Sequence, residues 1–156
     1  MTEPIKAEKT SRTFRMRCAV RATIHAQPRA VWALLTDAAG FPQWNSTVTR
    51  IEGAIALGST LKLEVPSAPG RIFKPKVARL DAERSMVWRD GMAPMFAGVR
   101  TFTLAPSADG GTRFSMTEEF SGLMLPLVRG SLPDFAPVFE RYAADLKRAA
   151  EASASA

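Results

Sequence analysis

Residues 15–26 alternate strictly, with Met16, Cys18, Val20, Ala22, Ile24 and Ala26 on one face and Arg15, Arg17, Arg21, Thr23 and His25 on the other. A period of two sustained over that length predicts a half-buried strand. In "QPRAVWALLTD", residues 27–37, Pro28 suits a first helical turn, while Val31, Leu34 and Leu35 fall at helical spacing. This predicts a short helix. Gly40 then supplies a stop and Pro42 a restart, so a second short helical piece carries Phe41 and Trp44.

From residue 47 the period returns to two. "TVTRIEGAI", "STLKLEV", "RIFKPKVARL", "SMVWRD", "GVRTFTLAP" and "TRFSMTEEFSG" read as six further strands, and their short connections predict an antiparallel meander. Pro75 lies within the fourth of these seven strands and calls for an edge or a bulge there. The last long segment, "LPDFAPVFERYAADLKRAAE", places Phe135, Val138, Phe139, Tyr142, Leu146 and Ala149 on one stripe. Glu140, Arg141, Asp145, Lys147 and Arg148 are read as facing away, which predicts a long amphipathic helix starting near 133–137. The preceding "LMLPLVRGSL" is an apolar, proline-interrupted approach. Residues 1–12 and 151–156 lack periodicity and are read as flexible tails flanking a single domain over 13–150.

Composition narrows the picture. A chain of 156 residues with 46% hydrophobic content builds one core rather than two. The net charge of +6 comes from basic residues scattered along the chain, which describes a solvated surface and no nucleic-acid partner. The loose basic enrichment before residue 30 leaves room for contact with a membrane surface. Cys18 is the only cysteine, so there is no internal disulfide and no multi-cysteine metal site. No apolar run approaches the roughly 18 residues of a spanning helix, and the N-terminus lacks the apolar core of a signal peptide, so a cytoplasmic location is expected. His25 is the only histidine and no phosphate-binding glycine motif is present, so the reading assigns neither metal nor cofactor.

The strands around "SADGG" carry the most informative pattern. A turn centred on Asp109 sets Leu104 opposite Phe114, Phe102 opposite Met116 and Arg100 opposite Glu118. Arg100 and Glu118 then share a face with Phe102 and Phe120, and two charges on an apolar face are tolerable only as a pair. The spacing predicts a partly buried ion pair that either fixes register or anchors the polar group of a ligand. Phe73, Trp88, Phe102, Met116, Phe120, Phe139 and Tyr142 are further inward candidates. Met92, Met95 and Phe96 sit in the loop "GMAPMFAG", expected either to gate a cavity mouth or to pack on the long helix. The Tyr142 hydroxyl, if buried, needs a partner, and a backbone group is the expected one.

One strand, two short helices, six antiparallel strands and a long C-terminal helix together resemble the START-like superfamily of polyketide cyclase/dehydrase and lipid-transport proteins. The resemblance is carried by "IHAQPRAVWALLTDAAGFPQWN" at 24–45, "GVRTFTL" at 98–104 and "GGTRFSMTEEFSGL" at 110–123. It implies an α+β helix-grip fold: a curved seven-stranded antiparallel sheet around the last helix, with the helical pair closing one end and Trp44 plugging it. It also implies binding or transport of a small hydrophobic molecule such as a lipid, an isoprenoid or an aromatic polyketide-like compound, by a monomer or homodimer. The alternatives are a cofactor-independent cyclase or dehydratase working through Arg100, Glu118, Tyr142 and ordered water, and a protein-interaction module.

Overall fold

The computed structural model describes residues 4–155. Among them, β1 (Ala7–Arg12), β2 (Arg15–Ile24), β6 (Lys76–Asp81), β7 (Ser85–Met92), β8 (Phe96–Pro106) and β9 (Thr112–Ser121) form one antiparallel sheet in the order β1-β2-β9-β8-β7-β6. A second antiparallel sheet joins β3 (Arg50–Glu52), β4 (Lys62–Glu64) and β5 (Ile72–Phe73). The alternation read from the sequence puts Val20, Ile24, Met86, Trp88, Phe102, Phe114 and Met116 on the inner face of the large sheet, all buried. That face closes on α4 (Phe135–Ser155) through Phe139, Tyr142, Ala143 and Leu146.

The helical pair is as expected. Pro28 opens α1 (Pro28–Thr36), which buries Val31 and Leu35, and a 3₁₀ turn over Ala38–Gly40 leads into α2 (Phe41–Trp44). Trp44 is half-buried, its ring 5.1 Å from Phe41 and edge-on to Tyr142 at 5.9 Å. The apolar approach to the last helix contains α3 (Leu125–Val128) and a 3₁₀ turn. No described helix is long and apolar enough to cross a membrane.

Four expectations are corrected. The seven-stranded sheet is instead six strands plus three: the expected strand 71–80 divides at Pro75, and β1 adds an edge strand. Proline has no N–H for a ladder, so β5 ends before it and joins the small sheet while β6 begins after it in the large one. Residues 7–12, read as tail, form the edge strand β1, with Ala7 opposite Val20 and Arg12 opposite Arg15. "AEKTSR" has no hydrophobic period, and backbone pairing to the β2 edge makes it a strand. At the other end α4 continues through Ser155, and the Glu151 carboxylate accepts from the His25 backbone N–H at 2.9 Å. Residues 1–3 and 156 of the expected tails lie outside the described residues. Finally, Asp145 is buried rather than facing away: its Oδ2 accepts from the Ser46 backbone N–H at 2.8 Å and from Ser46 Oγ at 2.7 Å.

Candidate functional site

A pocket of about 100 Å³ lies between the small sheet, the inner face of β7–β9 and the first turns of α4. Leu63, Val65 and Phe73 wall it on one side, Trp88 and Phe120 on the second, Phe135 and Val138 on the third. Its polar wall is the Arg100–Glu118 pair, with Asp90 and Thr47 nearby. The expected register is the observed one: Arg100 pairs with Glu118, Phe102 with Met116 and Leu104 with Phe114. Directly opposed residues point to the same face, which is why both charges meet inside.

Arg100 Nε donates to Glu118 Oε1 at 3.1 Å and Nη2 lies equally close to the same oxygen. Only 16% of the arginine side chain and 12% of the glutamate side chain are exposed. The guanidinium also sits 5.1 Å from the centre of the Phe139 ring, so its charge has two partners in place of water. Burial raises the Glu118 pKa above the ordinary glutamate value; the neighbouring Arg100 charge and hydrogen bond oppose this, and Asp90 adds a smaller push upward. The pair is therefore a carboxyl that holds a proton more readily than a surface glutamate, beside a fixed cation.

Of the residues singled out from the sequence, Phe73, Trp88, Arg100, Glu118 and Phe120 line the pocket. Phe102, Met116, Phe139 and Tyr142 form the buried layer behind it. Met92 and Met95 do not reach it, being 79% and 48% exposed, while Phe96 stacks on Phe120 at 5.7 Å. Phe96 and Gly98 thus bring the base of this segment against the pocket lining, while its tip is bonded to the chain leaving β9: Leu123 N–H donates to Pro94 O at 3.0 Å and Met124 N–H to Met95 O at 2.8 Å. The Tyr142 hydroxyl makes no backbone hydrogen bond; the Asn45 side chain is the polar group beside it, and Trp88 Nε1 is buried without a partner. Burial pushes its pKa upward, so the phenol keeps its proton.

Val65, Pro75, Phe135 and Val138 line the pocket as well. For Phe135 and Val138 the signal was present, since both lie one helical turn or less from Phe139 on the same stripe. Nothing local marks Val65 or Pro75, whose position depends on how the small sheet folds over. Cys18 is buried as expected, its thiol pushed up to about 11 by burial. Among the described residues no three His, Cys, Asp or Glu side chains gather closely enough to hold a metal ion.

The model of the family described as polyketide cyclase/dehydrase and lipid transport matches residues 15–153. The chain belongs to this family. Solved structures share the family fold at low identity. Norcoclaurine synthase from Thalictrum flavum, determined as a point mutant with a transition-state analogue, is 14% identical with a TM-score of 0.70, covering 93% of this chain and 99% of that one. A conserved protein of unknown function from Enterococcus faecalis is 15% identical with a TM-score of 0.66, covering 97% and 80%. A Rhodobacter sphaeroides protein is 18% identical with a TM-score of 0.65, covering 96% and 98%. No curated protein sequence matches the chain.

Proposed function

We propose that this family member binds and carries a small, mainly apolar molecule in the pocket between the two sheets and α4, with one polar group of the ligand held by Arg100 and Glu118. The observation that carries the reading is a buried charge pair in a wall that is otherwise mainly apolar, with Thr47, Ser67 and Asp90 as its other polar members. Such a wall favours apolar contact over most of its surface and directional hydrogen bonding at the pair. At about 100 Å³ the pocket is well below the roughly 300–1,000 Å³ of typical small-molecule sites, which favours a single-ring or short-chain ligand over a fused polyketide.

A second reading, a cofactor-independent cyclase or dehydratase, is supported by the raised Glu118 pKa, since a carboxyl that retains its proton suits general-acid chemistry. The small volume weighs against a multi-ring product. The test is native mass spectrometry of the purified protein beside a denatured, solvent-extracted sample. The expected result is a co-purified small molecule, with occupancy severalfold lower in Gly98→Ala, whose added methyl would stand 3.1 Å from the Phe120 ring in the pocket wall. An empty wild-type protein that also shows no thermal shift in a hydrophobic-ligand screen overturns the reading.

A further inference from the structure

Seven large hydrophobic side chains are exposed among the described residues, and five of them, Phe14, Met92, Met95, Leu123 and Leu127, lie on segments that meet at one end of the large sheet. The segments are the β1–β2 turn, the tip of the β7–β8 hairpin and the chain leaving β9. Backbone hydrogen bonds knit them together: Gly122 N–H donates to Phe14 O at 3.1 Å, Leu123 N–H to Pro94 O at 3.0 Å and Met124 N–H to Met95 O at 2.8 Å. Gly122 has φ +135°, and a Cβ there would stand 2.2 Å from Met95 O, so the close approach needs glycine. Arg129 Nη2 completes the join by donating to the backbone oxygens of Arg12 and Thr13. The apolar side chains are thus presented by a fixed platform.

The charge on the platform is mainly basic. Residues 12–15, 91–96 and 121–130 contain Arg12, Arg15 and Arg129 and no aspartate or glutamate. Glu119 pairs with Arg15 at 3.0 Å, so Arg12 and Arg129 carry the net positive charge, against Asp90 at the base of the β7–β8 hairpin, whose Oδ1 accepts from the Gly91 N–H at 2.8 Å. An apolar cluster rimmed by arginines is complementary to a bilayer interface, where the side chains leave water and the guanidinium groups meet lipid phosphate. A second copy docked patch to patch would set these arginines against one another. We propose that this end of the molecule docks on anionic phospholipid membranes. An aromatic file runs from the platform toward the ion pair, Phe96 on Phe120 at 5.7 Å, Phe120 on Phe135 at 5.2 Å and Phe135 against Phe139 at 6.0 Å. If the pocket carries an apolar ligand, as proposed above, docking here places the pocket next to a source or a sink for it.

The experiment is co-sedimentation with phosphatidylcholine vesicles containing phosphatidylglycerol, without added ligand, so that it reads docking whether or not the pocket is ever filled. Wild type is expected to bind these vesicles, and to bind pure phosphatidylcholine or high-salt samples less. The double variant Met92→Glu with Leu127→Glu, both at exposed positions, is expected to lose about tenfold or more in affinity. Leu57→Glu, also exposed but on the β3–β4 connection, is expected to match wild type. Wild type that stays in the supernatant, or equal losses in the patch and control variants, overturns the proposal. So does a patch variant that binds vesicles normally but converts a dimer to a monomer, which would assign the patch to a second copy.

Discussion

Arg100→Met removes the hydrogen-bond donor of a carboxylate that is mostly withdrawn from water, and takes away the cation over Phe139. Breaking one side of such a pair is expected to cost about 2–4 kcal/mol near neutral pH, read from urea denaturation. The cost is expected to shrink on acidification, because a protonated Glu118 no longer needs the arginine. Wild type carries its own pH signature. Burial raises the folded-state pKa of Glu118 above the ordinary value of 4.5, so the folded protein binds the proton more tightly than the unfolded chain. That contribution is fully present below the ordinary value and is lost as pH rises through the raised one. Glu118→Gln cannot titrate, so its stability relative to wild type is expected to climb with pH across that window. A difference that stays flat from acid to neutral pH would show that Glu118 titrates like a surface carboxyl.

The long helix α4 is tied to the α2–β3 connection by Asp145, which holds both donors of Ser46 and receives Arg148 Nη2 at 2.9 Å. Thr47 and Val48, directly after Ser46, line the pocket, so this tie also sets one wall. Asp145→Ala removes the shared acceptor of three donors, Ser46 N–H, Ser46 Oγ and Arg148 Nη2, and is expected to cost about 1–3 kcal/mol in chemical denaturation, with weaker ligand retention. A change within about 0.5 kcal/mol, the range of ordinary surface substitutions, would remove the tie from the account. Asp145 also shows where pattern reading stops. Its charge assigned it to the outer face, although it lies between Tyr142 and Leu146 at spacings that share the stripe. The hydrogen bonds that make its burial tolerable come from a segment 99 positions away, which no local spacing reveals. The β8–β9 register was readable for the opposite reason. A short turn between two strongly alternating strands leaves few pairings, so the Arg100–Glu118 contact followed from sequence alone. Of the walls from the small sheet, Phe73 was legible as an inward candidate, whereas Leu63 and Val65 were not, since only long-range packing places the small sheet over the large one.

The sheet as a unit depends on a strand that carries no hydrophobic signal. β1 covers the edge of β2 from Arg15 to Val20, and it is held at both ends: Ala7 N–H donates to Glu140 Oε2 at 2.8 Å, and Arg129 takes the backbone oxygens of Arg12 and Thr13. Lys9 adds an ion pair with Asp134 at 2.8 Å, although its exposure limits its worth. Deleting residues 1–12 turns β2 into an edge strand with open N–H and C=O groups. If those residues were a tail, the truncated protein would melt like wild type. The paired strand predicts a loss of about 2 kcal/mol or more, the net of several ladder hydrogen bonds against the entropy of ordering a short segment. A bare edge also invites pairing with another chain, but Arg15, Arg17 and Arg21 alternate along it on the outer face and repel an identical edge. Association of the truncated protein is therefore expected to be weak at low salt and to grow as salt screens the arginines. Sedimentation velocity across a salt series reads this directly: full-length protein unchanged, truncated protein heavier at high salt. A truncated protein as stable and as salt-insensitive as the full chain would show that β1 contributes nothing to the sheet it extends.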